Sequence, residues 1–317
     1  MVEKVIILGS GPAGLSAAVY ASREGFTPLV IGGFNPGGQL LLTTIVENYP
    51  GFPEGVDGSE LVSLIRAQAA KFGTRFINDN AISVDFSKKP FKVSTSDNDY
   101  EAECVIIATG ANAKWLGIES EQKFIGRGVS NCATCDGPLY KGKDVIVVGG
   151  GDTAMEDSMF LARFVNSVTI VHRRDSFRAS KVMQDRVLSN PKIKVMWNTG
   201  IEEIMGDKSV SGVRLKDAKS AQTSQINVQG VFIAIGYNPN TEIFKGTAIK
   251  LDEQGYIIPT EEIHTGIEGV FVAGDVADKV FRQAATATGS GVKAALAARE
   301  YLQNMEAMEK AKQQVDK

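Results

Sequence analysis

Hydrophobic and polar positions follow a repeating order along the chain. A short continuous apolar run leads into a glycine-rich turn, then a stretch with apolar residues at helical spacing, then another apolar run. Residues 4–8, KVIIL, open the series. The turn Gly9-Ser10-Gly11-Pro12-Ala13-Gly14 follows. LSAAVYASREG then predicts a helix ended by Gly25, and FTPLVIG a second strand. The same order recurs from residue 144. DVIVV predicts a strand and Gly149-Gly150-Gly151-Asp152-Thr153-Ala154 a turn. MEDSMFLARFV predicts a helix with Met155, Met159, Phe160 and Phe164 near one face, and SVTIV the next strand.

Each copy is a βαβ unit with G-x-G-x-x-G, or G-x-G-x-x-A, at its first turn. The first glycine permits the tight turn, the second lets backbone approach a pyrophosphate, and the third small residue lets helix and strand pack closely. A pyrophosphate at that helix N-terminus meets free N–H groups and a favourable dipole. One such turn is a weak signal. Two, each between a strand and a helix, imply two dinucleotides, commonly a flavin and a nicotinamide.

Other segments extend the pattern. Residues 105–110 and 231–236 each predict a strand running into a turn. GVFVAGDVADKVFRQAATATGSG, residues 269–291, predicts a third strand, an exposed Gly274-Asp275 and a helix rich in small residues. Small residues there suit close approach to a flat ligand; tight helix packing is the alternative. Because this segment lies late in the chain, the first domain is expected to be discontinuous. The fold class is α/β, with two Rossmann-like, three-layer ββα dinucleotide-binding domains, the second inserted into the first. The expected boundaries are 1–112 and 246–317 for the first domain and 113–245 for the second. The segment after Tyr301 predicts a helix end fraying into solvent.

Composition narrows the classes. At roughly 100–200 residues per domain, 317 residues suit two domains. Lys plus Arg is 34 and Asp plus Glu is 37, a net charge of −3, so the basic excess of a nucleic-acid binder is missing. No apolar run approaches the ~20 residues of a membrane span. A soluble, cytoplasmic protein is the expectation. Three cysteines are too few for a secreted disulfide scaffold. His172 and His264 lie far from the cysteine pair, so no metal is proposed.

Candidate chemistry falls in two places. Past the second strand of the second copy stand Arg173, Arg174 and Arg178. Arginine forks bind phosphate through paired, charge-assisted hydrogen bonds, so this loop suits the 2′-phosphate of NADPH. A solvated basic loop is the bland alternative. The first copy has Gly32-Gly33 where an acid often holds the ribose, which leaves that contact unassigned. Cys132-Ala133-Thr134-Cys135 is the second place. Cys-x-x-Cys beside two nucleotide folds reads as a dithiol redox centre rather than half of a metal site. Asp136 is placed to exchange protons with the thiolates and also suits a turn before Gly137-Pro138. Cys104, alone in an apolar strand, reads as a small buried hydrophobe. His172 either contacts nucleotide or packs at the strand end; His264 reads as structural.

With these residues in view, the sequence resembles the low-molecular-weight thioredoxin reductases, the FAD- and NADPH-dependent type of bacteria, archaea and plants. The resemblance spans nearly the whole chain. It rests on GSGPAG at 9–14, GGQL at 37–40, VENYPGFPEG at 46–55, ATG at 108–110, RGVSNCATCDG at 127–137, GGGDTA at 149–154, HRRDSFRAS at 172–180 and GDVADKVFRQA at 274–284. It implies FAD in the discontinuous domain and NADPH in the inserted one. Electrons would pass from NADPH to flavin, to the Cys132–Cys135 disulfide, and to thioredoxin. By matched positions Cys135 faces the flavin, Cys132 attacks the substrate disulfide and Asp136 is the acid–base residue. The implied flavin positions are Gly9, Ser10, Gly11, Pro12, Ala13, Gly14, Gly33 to Leu40 (with Gly38 and Gln39), Asn48, Thr109, Gly110, Gly274, Asp275, Arg282, Gln283 and Ala284. The implied NADPH positions are Gly151, Asp152, Thr153, Arg173, Arg174 and Arg178. Family members are homodimers whose NADPH domain rotates against the FAD domain, here over segments near 111–115 and 243–248. Arg127 matches a docking position for thioredoxin. Pro138-Leu139 stand where some bacterial members carry docking aromatics, so another disulfide protein, glutaredoxin-like or a peroxiredoxin partner, is the alternative substrate. A dithiol oxidase would have no use for the arginines.

Overall fold

The computed structural model describes residues 2–34, 36–43 and 45–315. The chain forms two compact units. The first comprises Met1–Ile45, Tyr49–Asn112 and Asn238–Lys317; the second comprises Val46–Asn48 and Ala113–Tyr237.

The first unit is built on a seven-stranded sheet. Val2–Leu8 is flanked by Leu29–Ile31 and Asp99–Ile107, both parallel to it, and Val270–Val272 adds a parallel strand beside Asp99–Ile107. Arg75–Ile77 lies outside Leu29–Ile31, while Phe91–Thr95 and Ala81–Asp85 extend the other side antiparallel. Alternate residues of the central strands enter different cores. Val5, Ile7, Val30, Cys104, Ile106 and Phe271 pack with Ala17, Ala21, Ala294 and Ala298 of the helices. Ile6, Leu8, Ile31, Val105, Ile107 and Val272 pack with Phe86, Phe91, Phe244 and Ile257. Burial on both faces is why these strands read as unbroken apolar runs. The register sets Leu8 opposite both Ile31 and Ile107, and Val272 opposite Ile107. The turns at Gly9, Ala108 and Ala273 therefore leave the sheet at the same edge.

The first helix spans Pro12–Arg23. It ends where Gly25, at φ 88°, donates its N–H to the Ser22 carbonyl, as the sequence predicts. The last helix, Ala284–Val315, crosses the first so closely that a Cβ at Gly291 would lie 2.1 Å from the Ala13 carbonyl oxygen. Tight helix packing thus accounts for Gly291, whereas space is open around Gly289. The helix runs through the segment expected to fray, as far as Val315; Asp316 and Lys317 lie outside the described residues.

The chain returns to the first unit at Asn238, ahead of the expected residue 246. Side chains explain the earlier return. Thr241 Oγ1 donates to the Gly255 carbonyl at 2.8 Å, and Phe244 is fully buried against Phe86. The segment 243–248, expected as a linker, is therefore part of this unit. The segments Ala111–Ala113 and Tyr237–Pro239 pair as a two-stranded ribbon.

The second unit holds a five-stranded parallel sheet, in the order Val129–Ser130, Gly230–Ile233, Asp144–Val148, Ser167–Val171, Ile193–Met196. One face (Val145, Val147, Val168, Ile170) packs on helices that include Asp152–Leu161. The other (Ile146, Val148, Val171, Val231) packs with Ile201, Ile204, Val213 and Leu215. Those residues lie on the antiparallel sheet Thr199–Gly206, Val210–Asp217, Thr223–Ile226. The helix after the glycine turn ends at Leu161. Phe164 therefore lies beyond it, its ring 5.2 Å from Phe160.

Candidate functional site

Both glycine turns are built alike. Gly9 adopts φ 114°, and a Cβ there would lie 2.1 Å from the Ala108 carbonyl oxygen. A Cβ at Gly14 would lie 2.0 Å from the Gly9 carbonyl oxygen, so helix and turn close up only without side chains. In the second unit, a Cβ at Gly149 would meet the Ala234 carbonyl oxygen at 2.4 Å and Ala154 Cβ at 2.7 Å. The middle positions differ in kind. At Gly11 and at Gly151 a Cβ would meet nothing within 4 Å. Their backbone borders open space at the start of a helix whose N-cap has no side-chain hydrogen bond. Free N–H groups in open space suit an anion.

Around the first turn, Ser10 Oγ donates to the Gly32 carbonyl at 2.8 Å and accepts the Gly37 N–H at 3.0 Å. The short 3₁₀ turn Gly38–Leu42 thereby sits beside the glycines; a Cβ at Gly38 would lie 3.3 Å from Gly11 Cα. Gly33 holds φ 80° and donates its N–H to the Asp79 carbonyl. Asn35, within the expected 33–40 stretch, lies outside the described residues. Asn48 belongs to the second unit.

The Gly274-Asp275 pair is not exposed as expected. Gly274 is buried beside the start of the first helix, its N–H donated to Ser290 Oγ and its Cβ position 2.8 Å from Ala13 Cβ. Asp275 Oδ1 is buried with no hydrogen-bond partner. Burial, reinforced by Asp278 and opposed by Arg282, pushes its carboxyl up to about 7. Arg282 stands at φ 48°, just before the last helix. An orphaned buried acceptor, open backbone at Gly11 and an uncapped helix form a donor and acceptor set that fits FAD.

Around the second turn, the Arg178 and Ala179 N–H groups both donate to the Gly150 carbonyl, at 2.8 and 3.2 Å. Asp152 Oδ1 accepts the Ser180 N–H at 2.9 Å and its hydroxyl at 2.8 Å, which holds the Asp152 carboxyl below its ordinary value. The arginine loop is thus pinned to the glycine turn. Arg173, Arg174 and Arg178 are exposed, and none pairs with a carboxylate among the described residues; the loop's Asp175 pairs with Lys219 instead. His172 packs at the strand end. Its ring fills the space a Cβ at Gly150 would need, its Nε2 lies 3.0 Å from the Ser176 carbonyl, and Phe177 and Trp197 flank it. Burial holds its imidazole below its ordinary value. Three unpaired guanidinium groups beside an uncapped turn fit NADPH.

Cys132 and Cys135 form a disulfide. Ser130 pairs with Phe232, and Val148 with Ile233, so the cysteine segment and the second glycine turn leave the same end of one sheet. Ligands of parallel sheets gather at that end. Ser130 Oγ accepts the Cys132 N–H at 3.0 Å, and the Cys135 N–H points at Cys132 Sγ at 3.2 Å. Asp136 is raised above its ordinary value by burial and Glu47, with Ser130 opposing. The turn expected after Asp136 does not form. The helix Ala133–Asp136 continues into the 3₁₀ segment Gly137–Tyr140, because Gly137 has helical dihedrals and packs close to Leu161, where a Cβ would lie 3.1 Å from Leu161 Cδ2. Tyr140 then lies one helical step from Asp136. Burial and the Asp136 charge push its phenol up to about 12. Sequence reading missed Tyr140 and Ser130; their spacing around the cysteines was the available signal. Cys104 is fully buried, which pushes its thiol far up, and His264 is exposed beside Phe271.

Among the described residues no helix is long and apolar enough to cross a membrane. The family model for pyridine nucleotide-disulphide oxidoreductases matches residues 3–291. A thioredoxin reductase of Rickettsia conorii is 52% identical over 303 residues, covering 94% of this chain and 98% of its own. One from Streptomyces coelicolor is 47% identical over 313 residues, covering 98% and 97%. The crystal structure of thioredoxin reductase from Streptococcus pyogenes superposes with a TM-score of 0.92 at 39% identity, covering 96% of this chain and 99% of its own. Glycine turns, arginine loop and cysteine disulfide all lie within this shared extent, and the chain belongs to the pyridine nucleotide-disulphide oxidoreductase family, in its low-molecular-weight thioredoxin reductase group.

Proposed function

We propose that the chain reduces the disulfide of thioredoxin with NADPH, through bound FAD and the Cys132–Cys135 pair. The balance is NADPH, a proton and oxidised thioredoxin giving NADP⁺ and the thioredoxin dithiol. The observation that carries this reading is the shared sheet end. A dinucleotide turn whose three arginines pair with no carboxylate among the described residues and a Cys-x-x-Cys disulfide beside an aspartate raised by burial emerge there together.

FAD, when bound, accepts two electrons from nicotinamide and passes them to a disulfide. The first unit's 9–14 turn, residues 33 and 38–40, Thr109-Gly110 and 274–284 would hold it. Gly151, Asp152, Thr153 and the arginines would hold NADPH. In the reduced pair, the Cys135 N–H stabilises negative charge on Cys132 sulfur. Cys132 therefore attacks a thioredoxin sulfur, and the thioredoxin S–S bond breaks to leave a mixed disulfide. Cys135 attacks that bond in turn and restores the Cys132–Cys135 disulfide, while Asp136 protonates a departing thiolate. A homodimer in the cytoplasm suits this chemistry.

One observation favours a second substrate. Pro138 and Leu139 are exposed beside the cysteines, Leu139 at 43%, and offer an aliphatic docking surface. The test is NADPH oxidation by the purified protein with thioredoxin, with NADH as the control and a glutaredoxin-like protein and a peroxiredoxin as alternative acceptors. Fast turnover selective for NADPH and thioredoxin is expected. Bleaching of the flavin without thioredoxin turnover would refute the assigned substrate.

A further inference from the structure

A chain of amide hydrogen bonds runs through the first unit; its ends, Gln39 and Thr109, belong to the segments proposed to hold FAD, while Asn112 and Asn240 between them have no assigned role. Gln39 Nε2 donates to Asn112 Oδ1 at 3.0 Å. Asn112 Nδ2 donates in turn to Asn240 Oδ1 at 3.0 Å. Asn240 is clamped to the turn after the strand Asp99–Ile107. Its Nδ2 donates to the Thr109 carbonyl at 2.8 Å, its N–H to the Gly110 carbonyl at 3.0 Å, and its own carbonyl accepts the Thr109 hydroxyl at 2.8 Å.

At the far end, Gln39 sits on the 3₁₀ turn Gly38–Leu42, the segment laid against Gly11. That segment has a second anchor, the Gly37 N–H on Ser10 Oγ. Ser10 fixes where the loop begins, and the amide chain fixes where Gln39 stands. Each link passes through a primary amide, which both donates and accepts, so the chain keeps one direction from Gln39 to Thr109. None of its members titrates.

We infer that Asn112 and Asn240 are positioning residues for FAD. They hold the 38–42 loop over the Gly11 backbone through Gln39, in the arrangement FAD needs, before FAD arrives. The inference rests on the assignment of FAD to this unit. Preorganisation of this kind slows ligand release without a new contact to the ligand.

The test is FAD release from the holoenzyme, followed by the rise of flavin fluorescence after dilution, for Asn112→Leu, Asn240→Ala and the double variant. Each single change is expected to speed release by about 2- to 10-fold, the effect of one neutral hydrogen bond. Because either break frees the loop, the double variant is expected to release FAD no faster than Asn240→Ala. The flavin circular dichroism band is expected to change in the same way in all three. Should Asn112→Leu fail to fold, Asn112→Asp keeps the acceptor for Gln39 but loses the donor to Asn240, and is expected to release FAD as Asn240→Ala does. Effects that multiply in the double variant, or singles that release FAD at the wild-type rate, would overturn the inference and leave the FAD assignment standing. Wild-type protein that neither carries nor takes up FAD would overturn both.

Discussion

Asp275 makes the flavin-free protein sensitive to pH in a direction opposite to the usual salt-bridged carboxylate. Its buried carboxyl is pushed up to about 7 from an ordinary value of 3.8. The folded state thus holds a proton that the unfolded chain gives up near pH 4. Stability is full below that pH, falls as pH rises toward 7, and levels off above it. Between pH 5 and 8 the stretch that counts is pH 5 to 7. At about 1.4 kcal/mol for each pH step, the loss is about 3 kcal/mol. That is a sizeable share of the ~5–15 kcal/mol of a typical domain, and roughly 5–10 °C in melting temperature. The assay is thermal melting of flavin-free protein at pH 5, 6, 7 and 8, beside Asp275→Asn. The variant has no carboxyl to ionise, so its curve is expected to lack this fall. Saturation with FAD is expected to flatten the wild-type curve too, because a ligand that donates to Oδ1 favours the charged form. Wild-type and Asp275→Asn curves of equal slope would refute the reasoning.

Three further outcomes are expected. Replacing Arg173, Arg174 and Arg178 by Ala should raise the KM for NADPH by about 10-fold or more per residue, on about 1.5–3 kcal/mol for a hydrogen bond to a charged group, and leave the KM for NADH nearly unchanged; equal effects on both coenzymes would rule out 2′-phosphate recognition. Gly11→Ala places a methyl in open space, so the melting temperature of the flavin-free protein should hold while FAD binding, read by fluorescence titration, weakens at least tenfold; unchanged binding would remove the pyrophosphate from Gly11. Asp136→Asn cannot give up a proton, so thioredoxin-linked turnover, measured across pH, should fall and lose the decline at high pH that ionisation of Asp136 causes in the wild type; a retained decline would assign it to another group.

Much of this architecture was legible because the physics involved is local. A strand buried on both faces must be apolar throughout, and a glycine with a carbonyl 2 Å from its missing Cβ cannot be replaced; both leave marks in a single sequence. The cysteine pair and the arginine loop were legible for the same reason. What escaped depends on partners distant in sequence. Nothing near Asp275 announces that Ala13 and Ser290 bury its neighbour. Asn112 and Asn240 are ordinary loop asparagines until the fold sets them side by side. The return to the first unit was placed too late because Thr241 and Phe244 find their partners at Gly255 and Phe86. The turn that Asp136 suits before Gly137-Pro138 gives way to continued helical backbone because Gly137 packs close to Leu161.

The strand Val270–Val272 and the helix crossing at Gly291 complete the first unit with residues that follow the inserted unit in the chain. On the ribosome this fixes an order of events. The first hundred or so residues emerge with the Asp99–Ile107 strand paired to Val2–Leu8 but lacking its second parallel neighbour, Val270–Val272, and with Ala13 not yet covered by Gly291, and must wait while the whole second unit is made. That unit closes on its own sheet and can fold as it emerges, as domains generally do. Asp275 and the last helix arrive only afterwards. The residues proposed to hold FAD are therefore complete only late, and the early fragment, with an unpaired strand edge and an open apolar helix face, is the stage at which synthesis of this chain most needs protection from aggregation.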